Sequence, residues 1–263
     1  YRGQVEGFSK ISGGKTKAEL EMLVESFIDT DAKRISWSRG LIADVAKLKN
    51  HSFDATAIRP AWYRPFCKQW VYFSRAFNDM IYKLPTLFPR ASFTNRAIMV
   101  KQRWSGDGQL AVMVDCLGDL QSDGGTQYFP LYLYEKDEPQ EGELIRHTAE
   151  GELVDGYRRR SAITDAILAD FRAAYEKRIT KEDIFYYVYG VLHSPEYRTR
   201  FASDLKKMLP RLPFTRETVD FWRFSQAGRD LARWHLNYET VEPWPVKEHH
   251  SELLSDPAKD FLV

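Results

Sequence analysis

Apolar positions follow helical spacing near the start of the chain, strand-like patterns in the middle, and helical spacing again after residue 161. A capping box at Thr16-Lys17-Ala18-Glu19 predicts a helix that runs to about Asp29, and a second helix is predicted over residues 40–47. Residues 1–15 are polar and Gly-rich and predict a loop. The chain is therefore expected to begin with a loop and two short helices.

The middle of the chain favours β-structure. β-branched and aromatic residues between positions 58 and 73 predict strands, and Pro60 and Pro65 place those strands at edges or bends. Further strands are predicted at 95–101, 110–115 and 128–134, with Gly- and Asp-rich turns between them. The expected product is a small mixed sheet.

The last third of the chain is predicted to be helical. Residues 136–160 are acidic and poor in large apolar groups, so they predict a linker or loop. Four helices should follow. The first is capped by Ser161, the second begins at a capping box at Thr180, the third begins at Ser194-Pro195, and the fourth runs over residues 215–236. The predicted fold class is α+β, with a basic mixed part over 1–135 and a bundle-like helical part over 161–263.

Charge is distributed very unevenly along the chain. Residues 31–103 hold 14 Lys and Arg against 4 Asp and Glu, whereas residues 104–156 hold 2 against 12. The net charge of +1 conceals this division. A cationic block with few acidic residues is typical of a nucleic-acid surface, since solvated faces usually mix both signs.

Composition limits the other function classes. With 43% hydrophobic residues and no apolar run of about 18 to 20 residues, the chain predicts no membrane span. Cys67 and Cys116 are its two cysteines, so no disulfide framework is expected and a reducing cytoplasm fits best. The chain opens at Tyr1 without an initiator methionine, so a piece of a longer polypeptide is expected.

Catalytic motifs are not recognisable in the sequence. No His-Glu-x-x-His, Gly-x-Ser-x-Gly or Cys/His cluster occurs, and Asp115, Asp119 and Glu135-Lys136 do not have nuclease spacing. His249-His250 lacks a third ligand nearby, so no metal site is expected. The prediction is that this chain has no catalytic residues, no metal and no cofactor of its own.

The stretch from Tyr63 to Phe73 interleaves rings with cationic and amide side chains. Cations neutralise phosphates, rings stack on bases, and amides read base edges, so this composition favours nucleic acid. The structural alternative is a β-hairpin whose rings pack in the core while its cations face water. The surrounding positive charge favours the nucleic-acid interpretation.

Four blocks of the sequence resemble the C-terminal specificity region of the single-chain Type ISP restriction-modification enzymes, in the order found in that family. They are Tyr63-Arg64-Pro65-Phe66-Cys67-Lys68-Gln69-Trp70-Val71-Tyr72-Phe73 with Phe77-Asn78 and Phe88-Pro89; Gln127-Tyr128-Phe129-Pro130-Leu131-Tyr132; Tyr186-Tyr187-Val188-Tyr189-Gly190-Val191-Leu192-His193-Ser194-Pro195-Glu196-Tyr197-Arg198; and Leu209-Pro210-Arg211-Leu212-Pro213-Phe214 with Gly228-Arg229-Asp230-Leu231-Ala232 and His235-Leu236-Asn237-Tyr238-Glu239. Relatives often carry an acidic residue where this chain has Cys67, which weakens any role for that position. They also tend to continue past Val263, so trimming of the domain at its end is expected.

The resemblance implies a target recognition domain that reads a short asymmetric site in double-stranded DNA. In the family it serves an upstream adenine methyltransferase, an ATP-driven translocase and a nuclease on the same polypeptide. S-adenosylmethionine, ATP and Mg are therefore expected for the parent enzyme, and the methyltransferase domain is the expected protein partner. An enzyme that flips its target base needs a separate surface to hold the flanking duplex.

Candidate DNA contacts follow from the side chains of the basic block. Cations suit phosphates or guanine, and Gln69 and Asn78 suit adenine. The candidates are Arg59, Tyr63, Arg64, Lys68, Gln69, Trp70, Arg75, Asn78, Arg96, Lys101 and Arg103. A second hypothesis makes the Arg-Pro-Phe block framework and puts the base readers in residues 93–126.

Two other functions stay open at this stage. An RNA or single-strand binder would use the same rings and cations, and would bind single strands at least as well as duplexes. A protein-interaction module built on the helical half would show no affinity for DNA.

Overall fold

A computed structural model describes residues 1–31, 33–137 and 151–246. Within these residues the helices are α1 (Arg2–Ser9), α2 (Lys17–Phe27), α3 (Arg39–Ala46), α4 (Leu84–Leu87), α5 (Asp165–Ala174), α6 (Lys181–His193), α7 (Pro195–Arg200), α8 (Ala202–Leu205) and α9 (Thr218–Leu236). The strands are β1 (Ile58–Arg64), β2 (Cys67–Tyr72), β3 (Ala97–Lys101), β4 (Ala111–Val114), β5 (Leu117–Gly118), β6 (Thr126–Pro130), β7 (Tyr132–Lys136), β8 (Glu152–Val154) and β9 (Tyr157–Ser161). The predicted α+β class is confirmed.

The first helix corrects the prediction of a loop over residues 1–15. Val5 and Phe8 lie one turn apart on α1 and are buried against α2 and α3. Gly3 and Gly7 lower the helix propensity of this segment, but burial of the apolar pair outweighs that local cost. Helix α2 begins at its predicted capping box, where the Thr16 hydroxyl accepts from the Glu19 amide, and α3 agrees with the predicted second helix.

Three small sheets lie between the helices, with strand orders β2-β1-β5, β4-β3-β6 and β7-β9-β8. Strands β1 and β2 form the antiparallel hairpin predicted between positions 58 and 73. The single strand predicted over 128–134 is wrong, because β6 and β7 belong to different sheets. The chain changes sheets next to Pro130, which has no N–H for the ladder, and the Leu131 amide bonds instead to the Arg96 carbonyl.

The expected acidic linker or loop contains a β-hairpin in its described part. Residues 138–150 lie outside the described residues; β8 pairs with β9, and β9 pairs with β7 on its other side. Oppositely charged side chains face each other across these strands, as in the pairs Arg160–Glu135 and Arg159–Glu152. Because cross-strand ion pairs replace apolar alternation here, composition alone did not indicate strands. The boundary between the two parts of the chain stays a prediction.

The largest core joins the helices to one sheet. Ile98 and Met113 from β3 and β4 are buried in the same cluster as Tyr187 and Phe221 from α6 and α9. The capping box at Thr180 opens α6 as predicted. Helix α5 is capped by Thr164 rather than Ser161, which is the last residue of β9. Helices α7, with Pro195 in its first turn, and α9 agree with the remaining predictions.

Candidate nucleic-acid interface

The β1–β2 hairpin combines core residues with exposed ones. Phe66 and Phe73 pack against the core that surrounds Trp62, as the structural alternative requires. Trp70 is 75% exposed and Tyr63 is 40% exposed, as a binding surface requires. The two interpretations of this block therefore apply to different rings.

The turn of the hairpin is anchored on the end of α9. Phe66 has a φ of 55°, and its ring meets His235 and Tyr238 edge to face at centroid distances of 5.2 and 5.4 Å. His235 is in turn connected to the core, because its Nδ1 bonds to the Tyr189 hydroxyl, which accepts from the Met113 amide at 2.8 Å. The hairpin thus has a fixed position relative to the helical core.

Two histidines in this region are held neutral by burial. Burial lowers the pKa of His193 from 6.5 to about 3, with the neighbouring Arg198 cation adding to the effect. Burial also lowers the pKa of His235. When the chain unfolds, both side chains regain their ordinary affinity for protons. The contribution of these two histidines to the free energy of unfolding is therefore present above about pH 6.5, their ordinary pKa, and is lost as the pH falls below it.

We expect the free energy of unfolding to fall between pH 7.5 and pH 5.5. His193 alone should contribute about 1.4 kcal/mol of this loss, and His235 should add to it. Urea denaturation at the two pH values measures the effect, and this window lies above the ordinary titration range of Asp and Glu. His193→Gln should lose less stability across the window than the unsubstituted chain. Equal losses in the two proteins would contradict the assignment to His193.

Most candidate cations contact the protein itself. Arg59 is only 6% exposed and donates to the Phe88 carbonyl at 2.9 Å, so in this conformation it is not available to a phosphate. Arg96 lies over the ring of Tyr186 and donates to its hydroxyl.

Acidic residues of the 104–156 region neutralise part of the basic block. In the described residues, three of the candidate cations form ion pairs with that region, with N to O distances of 3.4 Å for Arg64–Asp119, 3.3 Å for Lys68–Asp115 and 2.8 Å for Lys101–Asp123. The positive and negative regions of the sequence are thus folded against each other. Candidates in these pairs are partly neutralised by an aspartate, so each offers less net charge to a phosphate than an unpaired cation does.

The amide and remaining cationic candidates differ in their availability. Gln69 is exposed on β2, whereas the Asn78 side chain accepts from the Ser74 amide at 2.8 Å and helps to form a turn. Arg75 and Arg103 are exposed, and their side chains make no ion pair or hydrogen bond within the described residues. Of the predicted cations, these two are the best placed for phosphate.

The segment 74–83, which connects β2 to α4, adds residues that sequence reasoning missed. Met80 and Tyr82 are 72% and 66% exposed, and both have positive φ values, 51° and 43°. Lys83 is exposed and, like Arg75, unpaired in the described part of the chain. Exposed apolar side chains on strained backbone are common at binding sites. In the sequence, the signals for this segment were its two cations, Arg75 and Lys83, and its polar composition.

Two grooves border segment 74–83. One, of about 570 Å³, lies between this segment, Trp70 and the β1–β5 edge, and the other, of about 1070 Å³, contains Arg75. Residues 93–126 were the alternative location for the base-reading side chains. Their strands β3 and β4 are almost entirely buried, so only the loops of this region could reach a ligand.

The sequence matches a known protein family over nearly its whole length. The family model of the Type ISP C-terminal specificity domain matches residues 5–260. The chain belongs to this family. No curated protein sequence matches the chain significantly.

Solved structures similar to this Type ISP specificity domain come from larger proteins. The DrdV–DNA complex, determined by cryo-electron microscopy, has 30% sequence identity and a TM-score of 0.71, over 98% of this chain and 23% of that one. A nuclease-deletion mutant of the Type ISP enzyme LlaGI in complex with a DNA substrate mimic has 30% identity and a TM-score of 0.68, over 93% and 19%. The ATP-dependent Type ISP enzyme LlaBIII bound to DNA has 27% identity and a TM-score of 0.64, over 92% and 14%. The specificity domain therefore spans about a quarter or less of these chains.

The described residues of the specificity domain offer neither a metal site nor a membrane-spanning helix. Across residues 1–31, 33–137 and 151–246, no group of three or more His, Cys, Asp or Glu side chains is arranged to hold a metal ion. The pair His249-His250 lies outside the described residues. None of the described helices has both the length and the hydrophobicity to cross a bilayer.

Proposed function

We propose that this chain is a sequence-specific recognition domain for double-stranded DNA in a Type ISP restriction-modification enzyme. The observation that carries the proposal is the family match over residues 5–260, together with similarity over more than nine tenths of the chain to three DNA-bound proteins. In this role the domain positions DNA for adenine methylation and for translocation-dependent cleavage by other domains.

The surface next to segment 74–83 suits the backbone of a duplex. Within the described part of the chain Arg75 and Lys83 are unpaired, so they can neutralise phosphates without first breaking an ion pair there. Trp70 and Tyr63 present exposed ring area beside them. The edge-to-face packing of Phe66 on His235 keeps the hairpin in place, so the surface is preorganised for binding.

Partners and cofactors belong to the whole enzyme. The proposed protein partner is the adenine methyltransferase domain of the same polypeptide, and S-adenosylmethionine, ATP and Mg would act in the catalytic domains. The proposed location is the cytoplasm, whose reducing conditions suit a chain with two free cysteines. The chain itself is proposed to be non-catalytic.

We expect the isolated chain to bind duplex DNA weakly and with a steep dependence on salt. Fluorescence anisotropy between about 50 and 200 mM salt measures this dependence. The double variant Arg75→Ala/Lys83→Ala should bind more weakly and have a salt slope lower by about two units, because each phosphate contact contributes about one. The matched control Lys10→Ala/Lys177→Ala removes two other exposed cations and should bind like the unsubstituted chain.

Four outcomes would contradict the proposal or part of it. Absence of duplex binding at 50 mM salt, or binding that does not respond to salt, would exclude the DNA function. Tighter binding to single strands than to duplexes would favour the single-strand alternative. An equal loss in both double variants would show that the phosphate-binding surface lies elsewhere.

A further inference from the structure

Segment 74–83 contains a carboxylate in an unusual electrostatic position. Asp79 lies four residues after Arg75 and four residues before Lys83. It is exposed, lines the groove of about 570 Å³, and its side chain makes no hydrogen bond or ion pair within the described residues. By contrast, Asp119, which lines the same groove, is paired with Arg64. Asp79 is therefore a free hydrogen-bond acceptor on a surface proposed to approach DNA.

The backbone holds this carboxylate in a defined place. On one side, the amides of Phe77 and Asn78 both donate to the Ser74 carbonyl at 3.0 Å, and the Phe77 ring packs edge to face on Tyr72 at 5.5 Å. On the other side, the Leu84 amide donates to the Ile81 carbonyl at 3.1 Å where α4 begins. Asp79 and Met80 form the tip between these two fixed points.

The chemistry of an ionised carboxylate limits what it can meet on DNA. An ionised carboxylate is negatively charged, so phosphates repel it. It can only accept hydrogen bonds, and removing it from water without providing a donor is costly. The major groove presents amino groups as donors, and the usual partner of Asp there is N4 of cytosine. The neighbouring cations can meanwhile bind the phosphates on either side.

We propose that Asp79 reads a cytosine in the target site by accepting a hydrogen bond from its N4 amino group in the major groove. This inference rests on the proposed function, since it assigns a specificity residue to the same DNA surface. Asp79 is then a discriminating residue that reduces rather than increases general affinity for DNA. The sign of that effect separates it from a phosphate contact.

The test begins by selecting bound duplexes from a randomised pool with the unsubstituted chain, and by sequencing them. Asp79→Ala is then selected in the same way. We expect the variant to lose the preference at one C·G pair and to keep the others. Affinity for the selected duplex should fall about 5- to 150-fold, whereas affinity for a scrambled duplex should stay equal or increase.

Matched variants make the result specific. Asp170→Ala removes an exposed, unpaired carboxylate from α5 and should leave the selected sequence unchanged. Asp79→Asn should shift the preference at the same position from cytosine towards adenine, because an amide pairs with N6 and N7 of adenine. Thermal denaturation should show that all three variants are folded, since neither carboxylate has a partner among the described residues.

The outcomes distinguish this inference from the function on which it rests. If the unsubstituted chain binds no duplex or selects no sequence, the proposed function fails and the assignment of Asp79 fails with it. If it selects a sequence and Asp79→Ala selects the same sequence with the same affinity, only the assignment of Asp79 is overturned. A loss confined to an A·T pair would also overturn it.

Discussion

Alanine in place of Gly228 is expected to lower the free energy of unfolding by about 3 kcal/mol. Helices α6 and α9 cross where Gly190 and Gly228 face each other, and their backbones are in direct contact there. A Cβ atom on Gly228 would overlap the Tyr186 carbonyl oxygen, and one on Gly190 would overlap that of Phe224. Backbone atoms cannot turn aside as a flexible side chain can, so the two helices would have to separate.

Urea denaturation of Gly228→Ala and Gly190→Ala measures this cost. Gly3→Ala is the matched control, because Gly3 lies in α1 with nothing within 4 Å of its added Cβ. Alanine there should stabilise the helix by up to about 1 kcal/mol. If the variants at the helix crossing were as stable as the control, the close approach of α6 and α9 would be wrong.

Removal of the Tyr189 side chain should have an effect of similar size. Tyr189 is fully buried, and its hydroxyl bonds to the Met113 amide and to His235. Tyr189→Ala should cost about 3 to 5 kcal/mol, as for other large buried aromatic residues. Tyr189→Phe keeps the ring but leaves the Met113 amide without its partner, so about 1 to 3 kcal/mol should be lost.

The control for the hydroxyl is Tyr82→Phe, which removes a phenol oxygen that is exposed and unbonded in the described structure. Its stability should stay within about 0.5 kcal/mol of the original. In the fraction of Tyr189 variants that stays folded, DNA sequence preference should be unchanged. A change in preference with little loss of stability would place Tyr189 in the binding surface instead of the core.

Local signals in the sequence predicted the elements that depend on local interactions. The capping boxes at Thr16 and Thr180 fixed two helix starts, because each box is complete within four residues. Helix α1 was missed because its stability comes from burying Val5 and Phe8 against helices that follow later in the chain. The β8–β9 hairpin was missed because charged pairs with β7, not apolar alternation, accompany its strands.

The candidate interface was predictable as a region but not residue by residue. Composition indicated the basic block, and the family resemblance indicated its role. The sequence could not show that Arg59 donates to a buried carbonyl, because that partner lies 29 residues away in the chain. Nor could it separate Lys68, held by Asp115, from Arg75, which has no such partner in the described structure. Availability of a charge depends on tertiary contacts, which a residue count does not contain.

The ion pairs between the basic and acidic regions give Arg64 and Lys68 an internal competitor for any anion that approaches them. A phosphate that approaches Arg64 or Lys68 must compete with an aspartate that already lies beside the cation. Each exposed pair is worth only about 0.2 to 1 kcal/mol, so the exchange is easy but yields little net energy. Anions that offer charge alone should therefore leave quickly, and long residence should require additional contacts made by the ligand's shape and hydrogen-bonding groups.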